Sequence, residues 1–367
     1  MIKYSVIIPF HSNFNLLTLC LEALHRTLDF AESEIIIVDN NAMGSQIPTT
    51  AGIEVGCRIL RKQENLMYPR AINWGAEVAK GEYLLLCDAD TCVSPCFHTA
   101  LANALTTEGI GYAAAKLFNM STRHLLEFGI TSSHYNFPHP FTGRSGDFSL
   151  IQNDHTPLAA CAACSAIKKN LFWDLGGFDS ELVHSYSDID LSLRLRAKGY
   201  ATACVANAIA YHCGSSTEGS GMGASLKEDT KGVFMQKHAQ IPVQICAYLD
   251  MACAEFLRKT HLHRKEYFIV DCSTIANSTL YINHIINALD LSIVDQYRLP
   301  THSRDQMSLD LLNFIPYQIR NYRVPILYFT DSFLAFRGNS LWKSCRANFL
   351  DIVLDRHANL ELLKSCN

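Results

Sequence analysis

Two aspartates stand two residues apart at the end of the apolar run Leu84-Leu85-Leu86-Cys87-Asp88-Ala89-Asp90-Thr91. The apolar residues predict a buried strand, so Asp88 and Asp90 leave its exposed end on the same side of the chain. Carboxylates so placed can hold a hard divalent cation against phosphate oxygens, as the departure of a nucleoside diphosphate requires. In isolation the tripeptide reads as two solvated acids in a turn; at a strand end the metal reading outweighs that one. A third acid, Asp39, closes Glu34-Ile35-Ile36-Ile37-Val38-Asp39-Asn40-Asn41. It can accept a hydrogen bond from a uracil ring N–H, or stabilise an Asx-type turn together with Asn40 and Asn41.

A second pair of acids lies in Ser187-Asp188-Ile189-Asp190. Ser187 followed by Asp190 resembles a capping box, which predicts a helix opening at Ser187 and ended by Gly199. Asp188 then sits in the first turn. There it can take the proton from an incoming hydroxyl, or merely complement the helix dipole. Asp190 is expected to pair with Arg194 one turn on. His212 follows an apolar run and precedes Gly214-Ser215-Ser216-Thr217. It can serve as a third metal ligand or diphosphate contact beneath a closing Gly/Ser loop, or as a structural histidine.

The elements that must carry these residues alternate. Ser5–Pro9, Glu34–Asp39 and Tyr83–Cys87 are strand-like, while Leu16–Leu28 and Arg70–Ala79 carry helical periodicity. Continuous apolar strands between helices predict a mostly parallel sheet covered on both faces, an α/β, Rossmann-like fold. Ligands of such sheets bind outside the carboxyl ends of the strands, where Asp39, Asp88 and Asp90 fall. From Leu117 to Pro157 the pattern loosens into a loop rich in Gly, Pro, Ser and aromatics. Gly214–Ser225 reads as another, mobile loop. Beyond about residue 240 the motifs stop, and a mixed helical accessory region follows. Its helices are expected at Ile245–Leu257 and Leu280–Leu289, and its short strands at Tyr267–Val270 and Ile326–Phe329. The expected division is therefore 1–240 for the catalytic domain and 241–367 for the accessory region.

Composition narrows the classes. A chain of 367 residues with 49% hydrophobic and 18% charged residues is that of a folded globular protein. Residues 1–240 carry 18 Lys and Arg against 23 Asp and Glu, and the remainder 13 against 12, so neither part offers the basic face of a nucleic-acid binder. The first apolar run is too short for a signal peptide, and no stretch reaches the ~20 apolar residues of a membrane helix. A soluble, cytoplasmic protein is expected. Peripheral contact with an anionic membrane or lipid-linked acceptor could come from Trp342, Lys343 and Arg346, though a solvated helix face is the simpler reading of them. Of the 14 cysteines, most sit in apolar segments, and Cys161-x-x-Cys164 has no second pair at zinc spacing. Core packing explains it best.

Six segments together resemble glycosyltransferase family 2, the inverting enzymes of GT-A fold. They are, in order, residues 4–13, 34–41, 64–91, 160–182, 187–200 and 210–216. The resemblance implies a nucleotide-binding first strand around Pro9 and a base contact from Asp39. It further implies a Mn²⁺ or Mg²⁺ site at Asp88 and Asp90, with Ala89 between them and His212 as a further ligand, and a catalytic base at Asp188. It places Asn65, Arg70 and Asn73 along the nucleotide pocket, and the turn Gly176-Gly177-Phe178-Asp179 beside the acceptor. Two departures stand out. Ser187 occupies the place where the family usually has Glu, and the Q-x-x-R-W stretch of processive members is missing. The expected activity is the non-processive transfer of a sugar from a nucleotide-diphosphate donor, a UDP-sugar, to a hydroxyl of a glycan or lipid-linked acceptor during cell-surface glycan assembly. A sugar nucleotidyltransferase and a catalytically inactive glycan-binding relative are the competing readings.

Overall fold

The computed structural model describes residues 1–40, 47, 57–62, 64–133, 136–183, 185–213, 221–260, 262, 266–275, 277–298, 325–332 and 350–362, with the backbone alone for 221–228. It divides into two compact units. One comprises Met1–Thr131 and Arg144–Ile241, the other Ser132–Gly143 and Pro242–Asn367. The second unit therefore takes a short piece from the middle of the first.

In the first unit the chain runs β1 (Tyr4–Phe10), α1 (Phe14–Thr27), β2 (Ser33–Asp39), β3 (Cys57–Arg61), α2 (Met67–Val78), β4 (Tyr83–Cys87), β5 (Thr91–Val93) and α3 (Phe97–Ala104). It continues with β6 (Ile110–Asn119), β7 (Leu125–Glu127), β8 (Cys164–Lys168), α4 (Lys169–Asp174), α5 (Ser187–Ala197), β9 (Ala201–His212) and α6 (Gly221–Lys237). The strands form one nine-stranded sheet in the order β3-β2-β1-β4-β8-β6-β9-β5, with β7 on β6. The three expected strands are β1, β2 and β4, paired in parallel. β8 then runs antiparallel to β4, and β9 parallel to β6.

The sheet is buried because its strands are apolar on both faces. Val6, Ile7, Ile8, Ile35, Ile36 and Ile37 are fully buried, and each such side chain contributes about 1.5–3 kcal/mol relative to exposure. Asn13 opens α1, its Oδ1 accepting the Leu16 N–H at 3.3 Å. Helix α2 lies unusually close to β1, since a Cβ on Gly75 would sit 2.5 Å from Cγ2 of Ile7.

The second unit contains α7 (Ile245–Lys259), β10 (Glu266–Asp271), α8 (Ser278–Leu289), β11 (Ser292–Arg298), β12 (Ile326–Thr330), β13 (Ile352–Asp355) and β14 (Leu360–Leu362). Its five-stranded sheet has the order β11-β10-β12-β13-β14, parallel except for β14. The expected helices and both expected strands are present, and the three further strands make this region more sheet-like than its sequence suggested. The borrowed piece is tied in by main-chain bonds. Phe141 N–H donates to the His357 carbonyl at 2.7 Å, and Gln244 N–H to the Ser132 carbonyl at 3.0 Å.

One expectation is revised. Gly221–Ser225, expected in a loop, opens α6, while 214–220 lie outside the described residues. Trp342, Lys343 and Arg346 also lie outside them. No described helix is long and apolar enough to cross a membrane.

Candidate functional site

The carboxyl end of β4 delivers Asp88 and Asp90, as the apolar run before them requires. The third member comes from far along the chain. β5 pairs antiparallel with the end of β9, with Thr91 opposite His212, so the imidazole lands beside the acids. His212 Nε2 lies 2.9 Å from Asp90 Oδ1 and 3.7 Å from Asp88 Oδ2. One ligand atom from each of Asp88, Asp90 and His212 fits within a 4.8 Å cluster, the size of a first coordination sphere.

The electrostatics of this cluster suit a cation. The Asp88 side chain is 28% exposed at its rim, yet its Oδ1 is sealed from water and has no hydrogen-bond partner by distance and angle among the described residues. Desolvation pushes its carboxyl up to about 6, Asp90 adds to the rise, and His212 and the nearby Tyr68 hydroxyl oppose it. Burial alone would lower His212; the hydrogen bond to Asp90 and the charges of Asp88, Asp90 and Glu127 raise it instead. Two carboxylates supply the hard oxygen donors that suit Mn²⁺ or Mg²⁺, and the imidazole adds a borderline nitrogen donor. The orphaned Asp88 oxygen is a group that a cation would satisfy.

Asp188 stands in the first turn of α5, half-buried. Its charge and that of Asp88 both act on Tyr68, whose hydroxyl is buried and whose ionisation burial opposes most strongly. Tyr68 was not singled out by sequence reasoning; its place in the first turn of α2, beside the acid strand end, was the available signal.

The capping box is not formed. Tyr186, at φ 70°, is the N-cap residue, and Ser187 turns its hydroxyl to the Leu182 carbonyl at 3.0 Å. Asp190 pairs with Arg194 as expected, Arg194 Nε donating at 2.9 Å. It also meets His238 Nε2 at 2.8 Å, a partner from beyond α6 that local sequence could not announce. Burial would raise the Asp190 carboxyl, but His238 and Arg194 hold it below the usual range. A contact between Lys237 and both Asp179 and Glu181 fastens the same region.

The remaining candidates fall in different places. Asp39 ends β2, buried, with Arg61 Nε of β3 3.3 Å from its Oδ2. Asn40 Oδ1 accepts the Leu66 N–H at 2.5 Å and ties β2 to the start of α2. Pro9 lies near the end of β1 beside Val38. Asn65 is exposed, its Oδ1 accepting the Met67 N–H at 2.8 Å. Arg70 is exposed on α2, and Ala89 sits between the two acids, packed partly against the core.

Asn73 is bonded through its side chain to the turn at Phe178. Its Nδ2 donates to the Phe178 carbonyl at 2.8 Å, and its Oδ1 accepts the Phe178 N–H at 2.9 Å. The amide is committed to the turn Gly176-Gly177-Phe178-Asp179. A Cβ at Gly177, whose φ is +69°, would lie 2.7 Å from the Asn73 Oδ1. Cys161 and Cys164 are free thiols, Cys164 buried in β8 and Cys161 partly packed against the core, with the Cys161 N–H donating to Glu127 at 2.6 Å.

Residues 5–175 match the family described as Glycosyl transferase family 2. Those residues form a domain similar to the family 2 glycosyltransferases. This domain is similar, at 27% identity over 226 residues, to the uncharacterized protein y4gI of Sinorhizobium fredii, covering 59% of this chain and 25% of that protein. It is equally similar, over 221 residues, to the O-antigen biosynthesis protein RfbC of Myxococcus xanthus, covering 57% and 17%. The chain thus spans a quarter or less of the length of these relatives. Among solved structures, GalNAc-T7 with UDP, GalNAc and Mn²⁺ superposes with a TM-score of 0.50 at 15% identity, covering 58% of this chain and 44% of that one. That likeness establishes the GT-A type of the family 2 domain's sheet.

Proposed function

We propose that the family 2 domain transfers a sugar, with inversion, from a nucleotide-diphosphate donor to an acceptor hydroxyl. The observation that carries this reading is the meeting of Asp88, Asp90 and His212 at the carboxyl end of β4. These residues would hold Mn²⁺ or Mg²⁺, which when bound neutralises charge developing on the leaving diphosphate. The presence of Mn²⁺ together with UDP in the GalNAc-T7 structure supports that choice.

Asp188 is the general base. Its carboxylate takes the acceptor hydroxyl proton while the hydroxyl oxygen bonds to the anomeric carbon and the bond to the diphosphate oxygen breaks. Asp39 accepts from the ring N–H of the base, held at the sheet edge by Arg61. Pro9, Asn65 and Arg70 line the approach, and Asn73 positions the turn at Phe178. The domain adds one sugar per encounter, in assembly of a cell-surface polysaccharide or glycoconjugate, and the second unit is accessory to it. RfbC's name supports the biosynthetic context.

Release of nucleoside diphosphate from a panel of nucleotide sugars, with and without acceptor, tests the reading. Transfer should require divalent metal and one donor. Metal-dependent donor binding with no release from any donor would instead favour a binding-only relative.

A further inference from the structure

Tyr211 and His212 are consecutive on β9 and so face opposite sides of the sheet. His212 faces the acid cluster, while Tyr211 faces a cavity of about 430 Å³ that also takes Lys116, Phe118, Arg123, Gln152 and Asn207 in its walls. This groove lies wholly within the first unit and uses none of the residues assigned above to donor, metal or base.

Its chemistry is unusual for an idle surface. Phe118 and Tyr211 stand with ring centroids 6.0 Å apart at 35°, an apolar wall of the size of a pyranose ring. Two cations adjoin it. The Arg123 guanidinium lies 4.5 Å from the Tyr211 centroid, and the Lys116 ammonium 5.3 Å from that of Phe128. Lys116 is buried and donates one hydrogen bond, to the Ile151 carbonyl at 2.9 Å. Among the described residues neither cation has a carboxylate partner, and no acid lines the groove. Asp154, the acid whose charge reaches Lys116, turns its Oδ1 to the Ala206 N–H at 2.7 Å. Burial disfavours the ammonium more than the charge of Asp154 supports it, and a bound anion would restore it. Asn207 is exposed, and Gln152 spends its Nε2 on the Gly146 and Phe148 carbonyls, which fixes the amide at the rim.

An apolar wall, two cations and amides at the rim match one ligand class: a sugar ring bearing an anionic group. A bare anion would leave the aromatic wall unused, and a neutral sugar would leave Arg123 and Lys116 with no anion in the groove. We propose that this groove binds an acidic saccharide residue, a hexuronate or a sugar phosphate, as a non-reacting unit of the acceptor. Its use as an acceptor subsite rests on the transferase reading; the binding itself does not.

Ligand-observed NMR titrations of the full chain with glucuronate, glucose 6-phosphate, glucose and inorganic phosphate test this, with UDP titrated in parallel. At least one acidic sugar should bind at least about tenfold tighter than glucose and than inorganic phosphate, the scale of one charge-assisted contact. Which one it is identifies the acid. Arg123→Ala, at an exposed position, should weaken that binding about tenfold and leave UDP binding unchanged; Lys116→Gln, if its melting temperature is retained, should do the same. Equal binding of glucose, inorganic phosphate as tight as glucose 6-phosphate, or an Arg123→Ala variant that binds like wild type would each overturn the proposal. A failure of UDP binding alone sinks the transferase reading and leaves this one standing.

Discussion

His212 Nε2 and Asp90 Oδ1 lie 2.9 Å apart although they are distant along the chain of the first unit. The contact exists because β5, a strand of three residues directly after the acids, pairs with the last residues of β9. A metal site is thereby closed by strand pairing rather than by a local motif.

The first prediction concerns that closure. Chelation with EDTA should abolish transfer and Mn²⁺ or Mg²⁺ restore it. Asp90→Ala should lose metal-dependent donor binding and turnover together. His212→Ala should weaken metal affinity by about 10–100-fold, the scale for losing a supporting metal contact. Titrating Mn²⁺ against each variant checks this, and full activity without metal would rule the site out.

Asp188 and Asp190 should separate cleanly. Asp188→Asn keeps the shape but cannot take a proton, so turnover should fall by ~10²–10⁴ with donor affinity nearly unchanged. Asp190→Asn removes the partner of Arg194 and His238 and should cost stability, about 1–3 kcal/mol, more than rate. Transfer rates, donor calorimetry and melts of both variants decide. An inactive Asp190→Asn beside an active Asp188→Asn would put the base on the other carboxylate.

The turn at Phe178 should depend on Asn73. Asn73→Ala leaves the Phe178 N–H and carbonyl without their partner, and Gly177→Ala drives a Cβ against the same amide at a positive φ. Each should lower stability by about 1–3 kcal/mol. If Asn73→Ala instead melts like wild type but binds donor poorly, Asn73 belongs to the nucleotide pocket after all.

Acid should destabilise the first unit through His155. Burial pulls this ring down to about 4, opposed by the Phe128 backbone and Asp154. The unfolded chain takes up the proton below about pH 6.5, the folded one only near 4. Stability is therefore full above pH 6.5 and declines as pH falls toward 4. His155→Leu should flatten the melting temperature between pH 7 and pH 4.5. An unchanged slope would exclude His155 as the cause.

Truncation after residue 240 should not yield a well-behaved domain. Ser132–Gly143 belongs to the second unit, where Asn359 Nδ2 donates to the Thr142 carbonyl at 2.8 Å and His357 Nδ1 meets the His139 carbonyl at 2.9 Å. Cutting there strands this piece without partners. Aggregation or a lowered melting temperature is expected, and a truncated chain as stable as the full one would contradict the division.

The sequence alone determined the parts whose cause is local. β1, β2 and β4 are continuous apolar runs, and such runs can be satisfied only by a sheet covered on both faces. Asp39, Asp88 and Asp90 follow at their carboxyl ends, so their shared edge was legible before any coordinates. The pairing of Asp190 with Arg194 was legible for the same reason, since residues four apart on a helix are neighbours.

Tertiary structure decided the rest. β6, with Gly111, Ala113, Ala114, Ala115 and Lys116 along it, has weak strand propensity and is a strand because it is enclosed between β8 and β9. Helix α5 is entered through a left-handed Tyr186, which freed Ser187 from the capping role its spacing suggested. The joining of His212 to Asp90, Asn73 to Phe178 and His238 to Asp190 depends on pairing between distant segments. No period or spacing within a segment encodes which distant group will stand opposite; packing the whole chain selects it.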